Sequence, residues 1–147
     1  EIGKNVMTVN DPLADLVDLI SFNQYIGWYD GTWEKCEKVS WIFDKKKPVF
    51  ISEFGGDAQY NNHGKDTELF TEEYQEKLYV KSIEMLKKIE GLSGTTPWIL
   101  KDFRSPRRHL PGIQDDFNRK GLVSDKGERK KAFYVLQKWY MEMQDVK

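Results

Sequence analysis

The chain has 147 residues, of which 39% are hydrophobic and 14% aromatic, so one domain with a core is expected. Its 23 basic and 24 acidic residues leave a net charge of -1, which argues against nucleic acid or an anionic membrane surface as partners. One cysteine, Cys36, excludes an internal disulfide, and no apolar run approaches the roughly 20 residues that span a bilayer.

The first half of the chain predicts two strands separated by a short helix. Residues 18–25 predict a strand that becomes polar and aromatic at its carboxyl end, and residues 33–44 predict a short helix. The apolar run that starts at Pro48 ends in Glu53, which glycines soon follow. A run of this kind is typical of a strand buried on both faces.

The second half predicts helices on either side of a third strand. Thr71 is a plausible N-cap for a helix that ends before Gly91, and residues 98–103 predict the third strand after a break at 94–97. Residues 104–120 predict a long loop. A capping box of Asp125 and Glu128 precedes the last helix, whose apolar positions repeat at helical spacing: Ala132, Val135, Leu136, Trp139, Tyr140 and Met143.

Strands and helices that alternate in this way predict the α/β class with a parallel sheet. A doubly wound sheet and part of a TIM barrel both fit the order. No glycine-rich phosphate loop follows a strand, which favours the barrel. Three strands cannot close a barrel of eight, so we expect a partial (β/α)8 barrel of roughly the last three βα units.

Four blocks of sequence carry a family resemblance: residues 18–29, 48–55, 98–103 and 118–121. In order and spacing they resemble the carboxyl-terminal part of the barrel of family 2 glycoside hydrolases, most of all its β-glucuronidases and their β-galactosidase neighbours. The resemblance runs from about residue 15 to about residue 143. It implies that residues 1–147 form the carboxyl-terminal portion of a TIM-barrel domain in a longer chain.

The resemblance implies that Glu53 is the nucleophile of a retaining β-glycosidase. A carboxylate at the end of a buried strand suits that role, because double displacement needs one carboxylate to attack the anomeric carbon. It further implies that Tyr25 donates a hydrogen bond to Glu53. Asn23, two residues before Tyr25, faces the same side of the strand and is expected to bind a sugar hydroxyl or a neighbouring side chain. The rings of Trp28 and Tyr29 are expected to wall the pocket, since aromatic faces stack on sugar rings. Each also has a plainer explanation: a surface glutamate, or aromatic side chains that pack a loop.

Substrate recognition is implied for three further residues. Trp98 matches the tryptophan that forms the floor beneath the sugar, and a non-proline cis peptide is expected at Trp98-Ile99. Asn118 and Lys120 match the Asn-X-Lys of β-glucuronidases, in which amide and ammonium bind the C6 carboxylate of the substrate. Read alone, Trp98 could be a core residue and Asn118 to Lys120 an ordinary basic turn. Asp102 is expected to be a structural partner of Arg104, Arg107 or Arg108.

One departure from the family limits what the chain can do alone. The general acid/base is the Glu of an Asn-Glu pair, and this dipeptide occurs nowhere in the sequence. We therefore expect a chain that is inactive by itself and that pairs with the missing barrel half or self-associates through open sheet edges. A β-galactosidase and a non-catalytic sugar-binding fragment are the alternatives. We expect a carbohydrate substrate, no cofactor and no metal, and the compartment stays open.

Overall fold

The computed structural model describes residues 5–145, which form two compact units. The first runs to Phe54 and resumes over Lys81–Pro97, and the second comprises Gly55–Val80 and continues from Trp98. In chain order the elements are β1 (Val6–Val9), a 3-10 turn (Pro12–Asp15), β2 (Ile20–Asn23), α1 (Glu34–Lys38), β3 (Ser40–Phe43), β4 (Val49–Glu53), α2 (Glu72–Leu86), β5 (Leu92–Thr95), β6 (Phe103–Arg104), β7 (Phe117–Asn118) and α3 (Lys131–Asp145).

The first unit is built on a parallel sheet with the order β2-β4-β5. Its central strand β4 is fully buried on one face, with Val49 and Ile51 1% and 0% exposed, whereas Phe50 and Ser52 on the other face are half-buried. The strand that the apolar run predicts is confirmed, but its full burial on both faces is wrong. The α/β class with parallel strands is confirmed, and within residues 5–145 the sheet has three strands and does not close into a barrel.

The third strand of this sheet lies earlier than predicted. Strand β5 covers Leu92–Thr95, whereas residues 98–103 form no continuous strand. Gly94 explains the difference, because a Cβ at this position would lie 2.7 Å from ring atoms of Phe50 on β4. The glycine lets two strands approach under an aromatic ring, so it continues the strand where the sequence pattern indicated a break.

The helix predicted over residues 33–44 is wrong in its second half. Helix α1 ends at Lys38, and β3 follows and pairs in parallel with β1. Val39 has ψ of 135°, which is extended backbone, and the next four residues include Trp41, Ile42 and Phe43. Aromatic and β-branched side chains favour a strand over a helix at this point.

The second unit contains α3, the β6-β7 hairpin and residues 72–80 of α2. Thr71 is confirmed as the cap of α2, because its hydroxyl accepts a hydrogen bond from the Tyr74 backbone N–H at 3.1 Å. The hairpin lies within the predicted long loop.

Helix α3 is confirmed, but the predicted capping box is wrong. Helix α3 begins at Lys131, and residues 124–128 form a separate turn before it, in which the hydroxyl of Ser124 accepts from the backbone N–H groups of Lys126 and Glu128. The Asp125 carboxylate instead binds Arg119 at 2.8 Å.

Candidate active site

Tyr25 and Glu53 meet at the carboxyl end of the parallel sheet in the first unit. The Tyr25 hydroxyl donates a hydrogen bond to Oε2 of Glu53 at 2.7 Å, and both side chains are half-buried. The two residues are 28 positions apart in the chain. A short O–H···O⁻ bond of this kind stabilises the negative charge of a carboxylate while leaving it reachable from solvent.

Strand register brings these residues together. Asn23 at the end of β2 is paired with Glu53 at the end of β4, and the register shifts by one residue between Phe22 and Asn23. Beyond the last strand residue the Gln24 backbone N–H still donates to the Glu53 carbonyl at 2.9 Å. A bulge of this kind re-aims the side chains that follow it.

Asn23 itself is exposed and belongs to the same edge of the sheet. Its Oδ1 accepts a hydrogen bond from the hydroxyl of Ser52 at 2.7 Å. The carbonyl of Ser52 in turn accepts from the Thr96 hydroxyl at 2.7 Å. Hydrogen bonds among Asn23, Ser52 and Thr96 therefore link the carboxyl ends of all three strands of the sheet.

The loop after β2 places two further aromatic rings beside Tyr25. The ring centroid of Tyr29 lies 5.2 Å from that of Tyr25 in an edge-on arrangement, and Trp28 lies 6.4 Å from Tyr29. The loop is closed by a bond from the Gly27 N–H to the Asp30 carbonyl and by an ion pair of Asp30 with Lys35. Tyr29 remains 59% exposed, so its ring is available to a ligand.

Trp98 lies in the second unit, at the cis peptide bond that the resemblance predicts between Trp98 and Ile99. The side chain is half-buried and meets the ring of Phe103 edge-on at 6.1 Å. Gly55 packs close to it: a Cβ there would lie 3.3 Å from the Trp98 carbonyl oxygen and 2.5 Å from the Tyr79 hydroxyl. With φ of +132° as well, the position requires glycine.

Asn118 and Lys120 are buried in the second unit, with exposures of 5% and 1%. The Lys120 ammonium forms an ion pair with Asp57, which is fully buried, and Asp57 also accepts a hydrogen bond from the Gln114 amide at 2.9 Å. Oδ1 of Asn118 accepts from the Lys120 backbone N–H at 3.0 Å. The segment is therefore an internal charged site rather than the solvated basic turn that local composition suggests.

A second buried ion pair supports this segment. Lys130 contacts Asp102 at 2.8 Å and also donates to the carbonyls of Ala58 and Arg119. Burial raises the pKa of Asp102 and lowers that of Lys130, and in each case the partner's charge opposes the shift. Asp102 also accepts from the Gly121 N–H at 2.8 Å.

The structural role predicted for Asp102 is confirmed, but its partners are Lys130 and Arg119 instead of Arg104, Arg107 or Arg108. Sequence reasoning missed Asp57 and Lys130 altogether. Lys130 stands in a basic run, which usually indicates solvent exposure, and Asp57 follows two glycines in a loop. One signal in the sequence could have found Asp57. A lysine that binds substrate in a desolvated site, as the resemblance implies for Lys120, requires a carboxylate partner nearby.

The predicted site residues thus fall into two sets. The first unit brings together Asn23, Tyr25, Trp28, Tyr29 and Glu53. The second unit holds Trp98, Asn118 and Lys120.

Two other kinds of feature are absent from the described part of the chain. None of its helices has the length and apolar character needed to cross a membrane. Over residues 5–145 there is also no cluster of three or more side chains of the types that hold metal ions.

Known proteins resemble the chain over most of its length. The β-glucuronidase of Streptococcus agalactiae is 30% identical over 141 residues, which are 89% of this chain and 23% of that protein. Among solved structures, the β-glucuronidase of Faecalibacterium prausnitzii has a TM-score of 0.72 at 24% identity and is matched over 93% of this chain and 24% of its own. No protein-family model matches the sequence.

A further solved structure has a sugar conjugate bound. The β-glucuronidase of Bifidobacterium dentium complexed with coumarin-3-O-glucuronide has a TM-score of 0.67 at 26% identity, over 92% of this chain and 23% of its own. The chain spans about a quarter of the length of the curated relatives it matches. It is therefore related to the β-glucuronidases of glycoside hydrolase family 2, over one part of their length.

Proposed function

We propose that this chain supplies the nucleophile of a retaining β-glucuronidase, as part of a longer protein. The observation that carries the proposal is the 2.7 Å hydrogen bond from Tyr25 to Glu53 at the carboxyl ends of adjacent parallel strands. Parallel α/β enzymes place their catalytic groups at this edge, and the relationship to β-glucuronidases supplies the chemistry.

In the proposed reaction Glu53 attacks the anomeric carbon of a β-glucuronide. The glycosidic C–O bond breaks as a carboxyl group from elsewhere in the longer protein protonates the leaving oxygen. Water then attacks the same carbon, gives its proton to that second group, and releases Glu53 with net retention. Because Tyr25 binds Oε2, the other oxygen of Glu53, Oε1, is the one that attacks.

A mechanism-based label tests the role of Glu53. A 2-deoxy-2-fluoro-β-glucuronyl fluoride reacts with the longer protein, and peptide mass spectrometry then locates the sugar. We expect the label on the peptide that contains Glu53 and none on the Glu53→Gln variant. A label on a peptide without Glu53 would contradict the proposal.

Recognition of the uronic acid is assigned to Asn118 and Lys120. A buried ammonium favours a carboxylate over the neutral CH₂OH of galactose by a charge-assisted hydrogen bond of about 1.5 to 3 kcal/mol. Asn118→Asp is the sharpest test, because it retains the oxygen that accepts from the Lys120 N–H and adds one negative charge. We expect the ratio of glucuronide to galactoside turnover to fall at least tenfold. The control variant Lys126→Ala removes an exposed lysine six residues after Lys120 and should leave the ratio unchanged.

One observation favours a β-galactosidase as the second candidate. The ion pair with Asp57 neutralises the Lys120 charge within the protein, which reduces its attraction for a uronate. If Lys120 serves only this internal pair, Lys120→Met combined with Asp57→Asn should leave the substrate ratio unchanged and galactosides should be the better substrates. A drop in the ratio with retained thermal stability supports the glucuronidase.

A non-catalytic, self-associating fragment is the candidate from another class. Strands β2 and β5 are the outer strands of a three-stranded sheet, and outer strands tend to recruit further strands. Sedimentation velocity on the 147-residue chain tests this property. A monomer at all concentrations would contradict self-association, whatever the role of Glu53.

A further inference from the structure

A groove of about 660 Å³ opens at the end of the first unit's sheet that is opposite Glu53. It is lined by Trp41, Phe43, residues 45–48, Lys88 and residues 90–93, and we call it the lysine groove. Strands β4 and β5 begin at this groove, at Val49 and Leu92. Because β4 is five residues long, its carboxyl end with Glu53 lies about 13 Å from its start. The groove is therefore separate from the candidate active site.

Two aromatic rings give the lysine groove a flat apolar surface. Trp41 and Phe43 are two residues apart on β3, so they lie on one face of that strand. Their rings stack at an angle of 22° with centroids 6.4 Å apart, and Phe22 of β2 supports both at 5.4 and 6.2 Å. Half-buried rings fixed in this way bind the C–H faces of sugar rings.

The charge on the lining is predominantly positive. Asp15 pairs with Lys45 at 2.9 Å and offsets its charge. Lys47 donates to the neutral Val17 carbonyl, and Lys46 and Lys88 are exposed and have no acidic partner among the ion pairs of the described residues. These three lysines face one carboxylate, that of Glu90, within the lining.

We propose that the lysine groove binds an acidic oligosaccharide built from uronic acids. The sugar rings would lie against Trp41 and Phe43 while their carboxylates contact Lys46 and Lys88. A uronate chain carries one charge per sugar, which suits a few separated lysines. A nucleic acid is disfavoured, because the few lysines of the groove would neutralise little of the dense charge of a phosphate backbone. The proposal is independent of the role of Glu53.

Titration of the isotope-labelled 147-residue chain tests this site. The probes are a hexamer of α-1,4-linked galacturonate and the same hexamer with every carboxylate methyl-esterified, which keeps the sugar and removes the charge. At low salt we expect the acid to bind at least tenfold more tightly than the ester, with the largest NMR shifts at the Gly91 and Leu92 amides and the Trp41 indole. Binding should weaken as salt is raised.

Variants separate charge from ring stacking. Lys46→Ala with Lys88→Ala should weaken binding of the acid at least tenfold, whereas Lys65→Ala with Lys138→Ala, two exposed lysines elsewhere, should change it less than twofold. Phe43→Leu keeps apolar volume but removes a ring, and should weaken binding at least threefold while circular dichroism shows that the chain stays folded.

Three results would overturn the proposal. They are equal affinity for acid and ester, shifts centred on Tyr25 and Glu53 instead of the groove, and binding of hexathymidylate as tight as that of the acidic sugar.

Discussion

Glu73 near the start of α2 gives the most direct test of the second unit's electrostatics. Its carboxylate accepts from Lys131 at 2.6 Å, from His63 at 3.0 Å and from the Gly64 backbone N–H at 3.1 Å, so it joins a loop to the starts of two helices. Burial alone would raise the pKa of Glu73, but these bonds outweigh it and lower the pKa from 4.5 to about 2. The carboxylate is 22% exposed.

The size of the effect follows from linkage. The fall in the pKa of Glu73 from 4.5 to about 2, at about 1.4 kcal/mol for each pH unit, gives a ceiling near 3.5 kcal/mol. Lys131 is 41% exposed and solvent screens the pair, so we expect Glu73→Gln to lower the free energy of unfolding by about 1 to 2 kcal/mol at neutral pH. Because the folded pKa is depressed, the stabilisation is present above pH 4.5 and is lost as the pH falls toward 2.

Urea unfolding followed by circular dichroism at pH 5.5 and pH 3 measures this contribution. The stability gap between the parent chain and Glu73→Gln should shrink by more than half at pH 3. Glu90→Gln removes an exposed carboxylate elsewhere and serves as the control. A gap that stays constant between the two pH values would refute the reasoning.

Three further outcomes are expected. In the longer protein Tyr25→Phe should slow formation of the glycosyl-enzyme about tenfold to a hundredfold in stopped-flow assays, because one charge-assisted hydrogen bond is lost. An unchanged rate would exclude Tyr25 from the reaction. The isolated 147-residue chain should show no turnover of an aryl β-glucuronide, and measurable hydrolysis would mean that the second carboxyl group lies in this chain. Gly94→Ala should lower the free energy of unfolding by about 1 to 3 kcal/mol through its clash with Phe50, and Phe50→Leu should restore part of it; equal urea midpoints would contradict this packing.

Sequence patterns predicted the elements whose signals are local. The continuous apolar run of β4 and the capped helix α2 both depend on neighbouring residues, and both lie close to where the pattern places them. The meeting of Tyr25 and Glu53 was also predictable, since parallel strands end at a common edge. Each of these features depends on interactions between residues a few positions apart or on the order of the strands.

Long-range packing determined the features that the patterns missed. Gly94 indicates a break in the sequence pattern, and only its position beneath the ring of Phe50 explains why the strand continues through it. The burial of Lys130 likewise depends on Asp102, 28 residues away. No local window contains these partners, and the basic run around Lys130 gives no sign of its burial.

The buried pair of Lys120 and Asp57 constrains how a uronate can be recognised. Transfer of Lys120 from Asp57 to the substrate would leave a buried aspartate unpaired, which costs about 3 to 5 kcal/mol, whereas one new charge-assisted bond returns about 1.5 to 3 kcal/mol. Exchange of partners is therefore unfavourable. If Lys120 has the proposed role, it must therefore contact the uronate while Asp57 stays bound, and its selectivity for a uronate over galactose depends on how much positive charge Asp57 leaves on the lysine.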